Sequence, residues 1–217
     1  MMSTHDLSVE VYAGAPALDF DKQFAGAKKR IFLHAAIYNR FAENAAVSNA
    51  LESALACPDV TLQAVLLPVW SDIVWMDAAC QLVRPEGSRD DMLKKAEVSR
   101  EFFLRLAKKY PQQVTIYEGK SFPAFPLVIV DETIFCGHYA HSQVLAPEGL
   151  WMQLAVPTEL LRHLADSKAH CFEYDAHCEH QLSTQQLSKK KEMSPHERAV
   201  FRYIQEWKEA KGAVITS

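Results

Sequence analysis

The stretch FPAFPLVIVDETIFCGHYAHS, Phe122 to Ser142, predicts two buried strands joined by a tight turn. The short apolar runs LVIV and TIFC are typical of strands inside a sheet. The turn between them is supplied by Asp131–Thr133. Gly137 closes the second strand, and His138 and His141 follow it. This hairpin therefore raises the question of whether it ends at a functional site.

The sequence on either side of this hairpin predicts the rest of a sheet. Further strands are predicted in LSVEVYAG, KKRIFLHAAIYN, VTLQAVLLPVW, QVTIYEG and LWMQLAV, and helices in FAENAAVSNALESALACP, DMLKKAEVSREFFLRLAKKY and Pro157 to Ala169. We expect Asp90 and Asp91 to cap the second helix, and SDIVWMDAACQLVRPEGSRDD to form a loop before it. Two strand–helix–strand passages, a hairpin and a closing helix predict an α/β fold, a mixed β-sheet flanked by helices on both faces.

The chain divides into two parts by composition. We expect residues 1–170 to form the α/β domain and residues 171–217 to form a polar segment with a C-terminal helical arm. Ser194 and Pro195 predict the cap and first turn of that helix, and Gly212 predicts its end. We expect the helix to pack on the core or on a partner subunit.

Composition and charge exclude several classes of protein. The net charge of −4 and the sequence pI of about 6.1 give no basic excess, so charge does not support nucleic acid as a partner, although a local basic patch would still allow it. The apolar runs are too short to cross a membrane, and MMSTHDLSVEVY has no secretory pattern. Five cysteines without a framework spacing fit a reducing compartment. We therefore expect a cytoplasmic protein.

The hairpin resembles the C-terminal signature of the phospholipase D-like superfamily. That signature is HxKxxxxD, followed after several residues by Gly-Ser-x-Asn. KKRIFLHAAIYNRF, the long helix and VTLQAVLLP also follow the superfamily's order, so the resemblance spans roughly Leu7 to Ala165. It implies the phospholipase D-like fold. For chains with a single signature it also implies a homodimer in which two sites share one cleft.

The departures from the signature imply a degenerate active site. When Asp131 is set on the motif's Asp, Ala124 replaces the nucleophilic His and Pro126 replaces the phosphate-binding Lys. His138 stands in place of the Ser. In active members the His attacks phosphorus and the Lys neutralises the phosphoryl oxygens. Neither alanine nor proline can do this, so the usual phosphodiesterase chemistry is not expected.

Three interpretations remain open for the histidines after the hairpin. With Tyr139, His138 and His141 are the candidate catalytic pair of a divergent hydrolase, for which Arg40 and Lys120 are the nearest cations in sequence. Alternatively, the histidines are polar residues at the rim of an ordinary pocket. In the third interpretation they line a pocket that binds a ligand without catalysis.

A second candidate region is HAAIYNRFAEN, which marks a strand-to-helix junction. Open α/β sheets bind ligands where strands end, and we expect Asn39 to cap the helix there beside Tyr38 and Arg40. Taken with the resemblance, the residues predicted to contact a ligand are Asn39, Arg40, Asp131, Tyr139 and Ser142.

Other clusters are less specific. WSDIVWMDAACQ places Asp72 and Asp77 near two tryptophans, a pattern of an aromatic-walled loop or, as we favour, of a dimer contact. HCFEYDAHCEH, from His170 to His180, is rich in potential zinc ligands, but its spacing matches no established site. Glycine-rich phosphate loops are absent from the sequence. We predict no metal and no cofactor.

Together these observations predict a non-catalytic phospholipase D-like domain that binds or senses a small anionic ligand, a nucleotide or a phosphorylated compound. The first alternative is a divergent phosphodiesterase or nuclease that uses His138 and His141. The second is a protein-interaction or regulatory dimer. The sequence identifies neither the ligand nor the pathway.

Overall fold

A computed structural model of the chain describes residues 8–68, 76–83, 87–120, 123, 125–138, 148–156 and 195–215. Its eight strands form one sheet in the order β1-β7-β6-β5-β2-β3-β4-β8. The strands are β1 (Val9–Ala13), β2 (Arg30–His34), β3 (Thr61–Leu66), β4 (Val114–Gly119), β5 (Leu127–Val130), β6 (Thr133–Gly137), β7 (Leu150–Ala155) and β8 (Lys211–Val214).

Six α-helices accompany the sheet in the same described ranges. They are α1 (Phe20–Ala25), α2 (Asn39–Glu43), α3 (Ala45–Leu55), α4 (Met76–Val83), α5 (Arg89–Lys109) and α6 (Pro195–Ala210). None of these helices has both the length and the apolar character that crossing a membrane requires.

The sheet is mixed because its connections differ in length. β2, β3 and β4 are parallel to one another, and each pair is linked through helices. β5, β6, β7 and β1 pair antiparallel, and only the Asp131–Glu132 turn separates β5 from β6. This arrangement confirms the predicted mixed sheet.

Helices cover both faces of the sheet, as predicted. On one face, Phe24 of α1, Leu51 of α3 and Phe103 of α5 are fully buried in the larger core. On the other face, α6 packs on the central strands. There, Trp207 stacks on Phe32 of β2, with ring centroids 4.9 Å apart and an interplanar angle of 5°. Apolar burial on both sides is the main favourable contribution to this architecture.

The first long helix that we predicted is interrupted. Asn44 separates α2 from α3, and its side-chain oxygen accepts hydrogen bonds from the amides of Ala46 at 2.9 Å and Val47 at 3.3 Å. Asn44 is therefore the side-chain cap in this region. The predicted cap, Asn39, is the first residue of α2 and donates from its amide nitrogen to Glu43 at 3.1 Å.

Two further local predictions are corrected. The predicted loop after β3 contains helix α4. The cap of α5 is Ser88, whose hydroxyl accepts from the amide of Asp91 at 3.1 Å. Asp90 and Asp91 lie instead in the first turn, where their carboxylates favour the positive end of the helix dipole.

The C-terminal helix begins at Pro195, as its sequence predicts, but Gly212 does not end it. The chain passes directly into β8, which pairs antiparallel with β4. A Cβ on Gly212 would lie 2.4 Å from the carbonyl oxygen of Glu118, so this close approach of two strands requires glycine. Helix α6 and β8 are thus part of the sheet and its cover. The predicted helix at 157–169 lies outside the described residues.

Candidate functional site

The candidate site lies at the edge of the sheet where β2 ends and β5 begins. We call it the carboxyl edge and define it by His34, Pro126, Gly137 and His138. His34 is in register with Leu127, and the amide of Gly137 donates to the carbonyl oxygen of Pro126 at 3.0 Å. The degenerate signature and the strand-to-helix junction therefore meet at this edge.

Pro126, which stands at the position of the signature's lysine, is buried. A Cβ built on Gly137 would lie 2.7 Å from a ring carbon of Trp151 and 3.1 Å from Cγ of Pro126. Tight apolar packing therefore joins Pro126, just before β5, to Gly137 of β6 and Trp151 of β7. Such packing leaves no cation at the position that binds phosphate in the signature.

The remaining signature positions are only partly described. His138 directly follows β6 and is exposed at the carboxyl edge. Ala124, Tyr139, His141 and Ser142 lie outside the described residues. The predicted meeting of His138 with His141 therefore stays a prediction.

Asp131 lies at the opposite edge of the sheet from His138. Its carboxylate accepts main-chain hydrogen bonds from Lys28 at 2.7 Å, Lys29 at 2.8 Å and Arg30 at 3.0 Å. Its own amide donates to the carbonyl oxygen of Arg30 at 2.9 Å. Asp131 therefore fastens the β5–β6 turn to the start of β2. The length of β5 separates Asp131 from the carboxyl edge, and the predicted contact of Asp131 with a ligand stays a prediction.

The two candidates in α2 differ. Asn39 is 6% exposed, and its amide nitrogen is used by Glu43. Arg40 projects to the surface, where its guanidinium lies 3.4 Å from a carboxylate oxygen of Glu148, and both side chains are about half exposed. Exposed ion pairs of this kind contribute little to stability, so an anionic ligand could replace Glu148 as the partner of Arg40 with little loss of free energy.

Tyr38, which we predicted beside the ligand, is buried in the core. Its hydroxyl donates to the carbonyl oxygen of Val65 at 2.9 Å and accepts from the amide of Ala35 at 2.6 Å. Its amide donates to the hydroxyl of Ser99 at 2.9 Å. Tyr38 thereby fixes the junction after β2 to β3 and α5.

His34 is a residue that the sequence reasoning missed as a candidate. It is 1% exposed, and neither ring nitrogen has a hydrogen-bond partner in the structure. Its Nε2 lies 3.7 Å from a carboxylate oxygen of Glu206 on α6. Buried polar groups without partners are rare in folded proteins. The one available signal was a histidine at the end of the apolar run IFLH.

The acidic and metal-ligand clusters give no site in the part of the chain that the structure covers. Asp77 is exposed and lies 3.4 Å from Arg89. Groups of three or more metal-ligating side chains are absent among the described residues. Asp72 and the segment from His170 to His180 lie outside those residues.

Sequence comparisons give no family: no family model and no curated protein matches the chain. Several solved structures are similar. The phospholipase D family member Nuc from Salmonella typhimurium is 15% identical, with a TM-score of 0.44 over 74% of this chain and 90% of that chain. The archaeal chromatin protein TrmBL2 is 14% identical, with a TM-score of 0.44 over 76% of this chain. The match spans 52% of TrmBL2.

A third similar structure is phosphatidylserine synthase from Haemophilus influenzae Rd KW20, which is 11% identical. Its TM-score is 0.45, over 71% of this chain and 36% of that chain. Nuc, a phospholipase D family member, is thus among the structures that are similar to this chain. With TM-scores below 0.5, these matches carry no argument about activity or ligand.

Proposed function

We propose that this chain is a non-catalytic phospholipase D-like domain that binds or senses a small anionic ligand, a nucleotide or a phosphorylated compound, at the carboxyl edge. One observation carries the proposal. Pro126, at the position of the phosphate-binding lysine, is buried and packed against Gly137 and Trp151.

The chemistry of the replacements supports the absence of catalysis. Attack on a phosphodiester needs a nucleophile and a cation that stabilises the developing charge. Proline carries neither a charge nor an N–H donor, and the alanine at position 124 carries no nucleophile. A His–Lys pair of the usual kind therefore cannot form from the two signature positions.

The exposed groups at the same edge support binding. Arg40 offers a planar set of donors that matches a phosphate or carboxylate, and its pairing with Glu148 is weak. His138 adds an exposed imidazole. Tyr139, Ser142 and His141 remain predicted contacts. We also expect a homodimer whose shared cleft is lined by His138, Tyr139 and His141 of each subunit.

Thermal unfolding with a ligand panel tests the binding. Inorganic phosphate, AMP, ADP and glucose 6-phosphate are each titrated against the full chain. We expect at least one of them to raise Tm. We expect Arg40→Gln to weaken the apparent affinity for that ligand about tenfold and so to reduce the shift in Tm. Arg105→Gln, at an exposed arginine of α5, is the matched control and should leave the shift unchanged. If no ligand in the panel shifts Tm, the proposal fails.

An assay with bis-p-nitrophenyl phosphate and single-stranded DNA tests the absence of catalysis. We expect no turnover above the uncatalysed rate. Turnover that His138→Ala abolishes would replace this proposal with the divergent hydrolase. Turnover that survives in His138→Ala would refute both the non-catalytic domain and the catalytic role of His138.

A further inference from the structure

A small cleft of about 70 Å³ lies between α6 and the sheet, on the face opposite Trp151. Its floor is one row of side chains from three adjacent strands, with Phe32 of β2 in register with both Gln63 of β3 and Ile129 of β5. Its wall comes from the C-terminal part of α6 and the first residue of β8. The wall residues are Ile204, Trp207, Lys208 and Lys211. We call this cavity the α6 cleft.

The geometry of the wall follows from the sequence. Ile204, Trp207 and Lys208 are spaced at i, i+3 and i+4, which places them along one face of α6. Lys211 follows that helix as the first residue of β8. The stacked rings of Phe32 and Trp207 fix that face against the sheet. As a result, two lysines are directed to the same cleft as several apolar side chains.

Lys211 carries a charge that the described residues do not neutralise. Its ammonium nitrogen lies 5.0 Å from the ring centroid of Tyr117 and 5.1 Å from that of Trp207. It is also 3.4 Å from the side-chain oxygen of Gln63, a long hydrogen bond. Among the ion pairs that the described residues form, none involves Lys211. Burial lowers the pKa of Lys211, and the nearby ammonium of Lys208 lowers it further.

These contacts are typical of a site that binds an anion. Aromatic faces stabilise an ammonium group only in part, and a cation withdrawn from water normally has a carboxylate or another anion beside it. An oxyanion in the α6 cleft would accept hydrogen bonds from Lys211 and would also offset the repulsion between the two ammonium groups.

The apolar floor restricts the class of anion. Inorganic phosphate is polar on every side and would leave Phe32 and Ile129 without a favourable contact. A short-chain acid would place its carboxylate at the lysines and its hydrocarbon over these two side chains. A buried water needs about 10–15 Å³ of this kind of volume, so a cleft of about 70 Å³ admits only a small ligand of about five or six heavy atoms.

We propose that the α6 cleft binds a small organic carboxylate, with the carboxylate held by Lys208 and Lys211 and the short apolar chain over Phe32 and Ile129. This site is independent of the ligand proposed for the carboxyl edge, because the residues that line the α6 cleft include neither Arg40 nor any residue that defines the carboxyl edge.

The experiment follows the lysine side chains of the full chain by NMR during titration with butanoate. Lysines are isotopically labelled, and Lys211→Met assigns the Lys211 signal. We expect a saturable shift of that signal and a rise in its titration midpoint, because a bound anion stabilises the ammonium form. The signal of Lys108, an exposed lysine of α5, is the internal control and should not move.

Three comparisons make the outcome decisive. Butanamide, the uncharged analogue, should bind at least about tenfold more weakly, and so should inorganic phosphate. Lys208→Met should weaken butanoate binding severalfold, and it provides the test if Lys211→Met does not fold. Arg40→Gln should leave butanoate binding unchanged, which separates this proposal from the proposed function. The absence of a saturable shift, or equal binding of butanamide or of phosphate, would overturn it.

Discussion

Asp131 and His34 are polar side chains near the two ends of the same strand, β2, and their surroundings differ sharply. The carboxylate of Asp131 accepts three main-chain hydrogen bonds at the start of β2. The imidazole of His34, at the end of β2, is almost fully buried and has no hydrogen-bond partner among the described residues. One end of the strand is therefore locked by a polar contact, and the other end contains a polar group whose desolvation is not compensated.

This difference indicates which residues serve stability and which do not. A buried or half-buried polar group with all its hydrogen bonds made is sufficiently explained by the fold. His34 and Lys211 are not explained in that way, and both face α6. Groups that weaken the fold where they stand are candidates for a role in binding.

The largest expected effect tests the apolar packing of the carboxyl edge. Gly137→Ala should lower the free energy of unfolding by about 2 to 3 kcal/mol, because its Cβ would overlap Trp151 and the chain must shift. Chemical denaturation measures this loss. Gly26→Ala is the matched control, since its Cβ would meet its nearest neighbour at 3.3 Å, and it should cost clearly less. Equal losses of stability at both glycines would contradict the tight packing of Gly137 against Trp151.

The next effect tests the locked end of β2. Asp131→Ala should lower the free energy of unfolding by about 2 kcal/mol, because three main-chain donors lose a charged acceptor. The matched control is Glu132→Ala, which removes only the exposed pair with Lys29 at 3.5 Å and should change stability by at most about 0.5 kcal/mol. Similar values for the two variants would contradict the structural role of Asp131.

The third effect has the opposite sign. His34→Leu should raise the free energy of unfolding by about 1 kcal/mol, because it replaces an unsatisfied buried imidazole with an apolar side chain of similar size. Leucine at the exposed position of His138 should change stability by less than about 0.5 kcal/mol. A clear loss of stability in His34→Leu would show that the imidazole has a polar partner.

The smallest effect concerns Lys211 and depends on pH. Because its pKa is lowered in the folded chain, the unfolded chain binds more protons between that pKa and the ordinary value of 10.5. The unfavourable contribution is therefore fully present below the folded-state pKa and is lost as pH rises towards 10.5. Relative to Lys211→Met, the natural chain should gain stability across this window. Lys108→Met should show no such trend. If the difference in stability between the natural chain and Lys211→Met does not change with pH, the lowered pKa of Lys211 is refuted.

Local patterns predicted the sheet well. The runs LVIV and TIFC correspond to β5 and β6, and the predicted helix DMLKKAEVSREFFLRLAKKY corresponds to α5. Periodicity depends on neighbouring residues, so it can be read from one sequence. The predicted caps were wrong although capping is local, because a neighbouring Asn44 and Ser88 supply the cap instead. The strand β8 was missed for a different reason, since a long-range contact decides it. Lys211–Val214 follows a helix and pairs with β4, a partner about ninety residues away in sequence.

The candidate site was harder to predict for the same reason. His34 and Glu206 are brought together only by the packing of α6 on the sheet, and Lys211 meets Tyr117 and Gln63 through the β4–β8 pairing. Asp131 was predicted at the site because it belongs to the signature. Its distance from His138 follows from the direction of β5, which a linear motif does not show.

The C-terminal strand also limits how a partner of this protein can be sought. Deletion of residues 189–217 would remove β8, the strand that pairs with β4. It would also expose Phe32 and Ile129, which α6 covers. A truncated chain that no longer captures a binding partner would then report unfolding and not a lost docking surface. Charge reversals at Arg202 and Glu209, which are exposed on α6, would change the surface and leave the sheet intact.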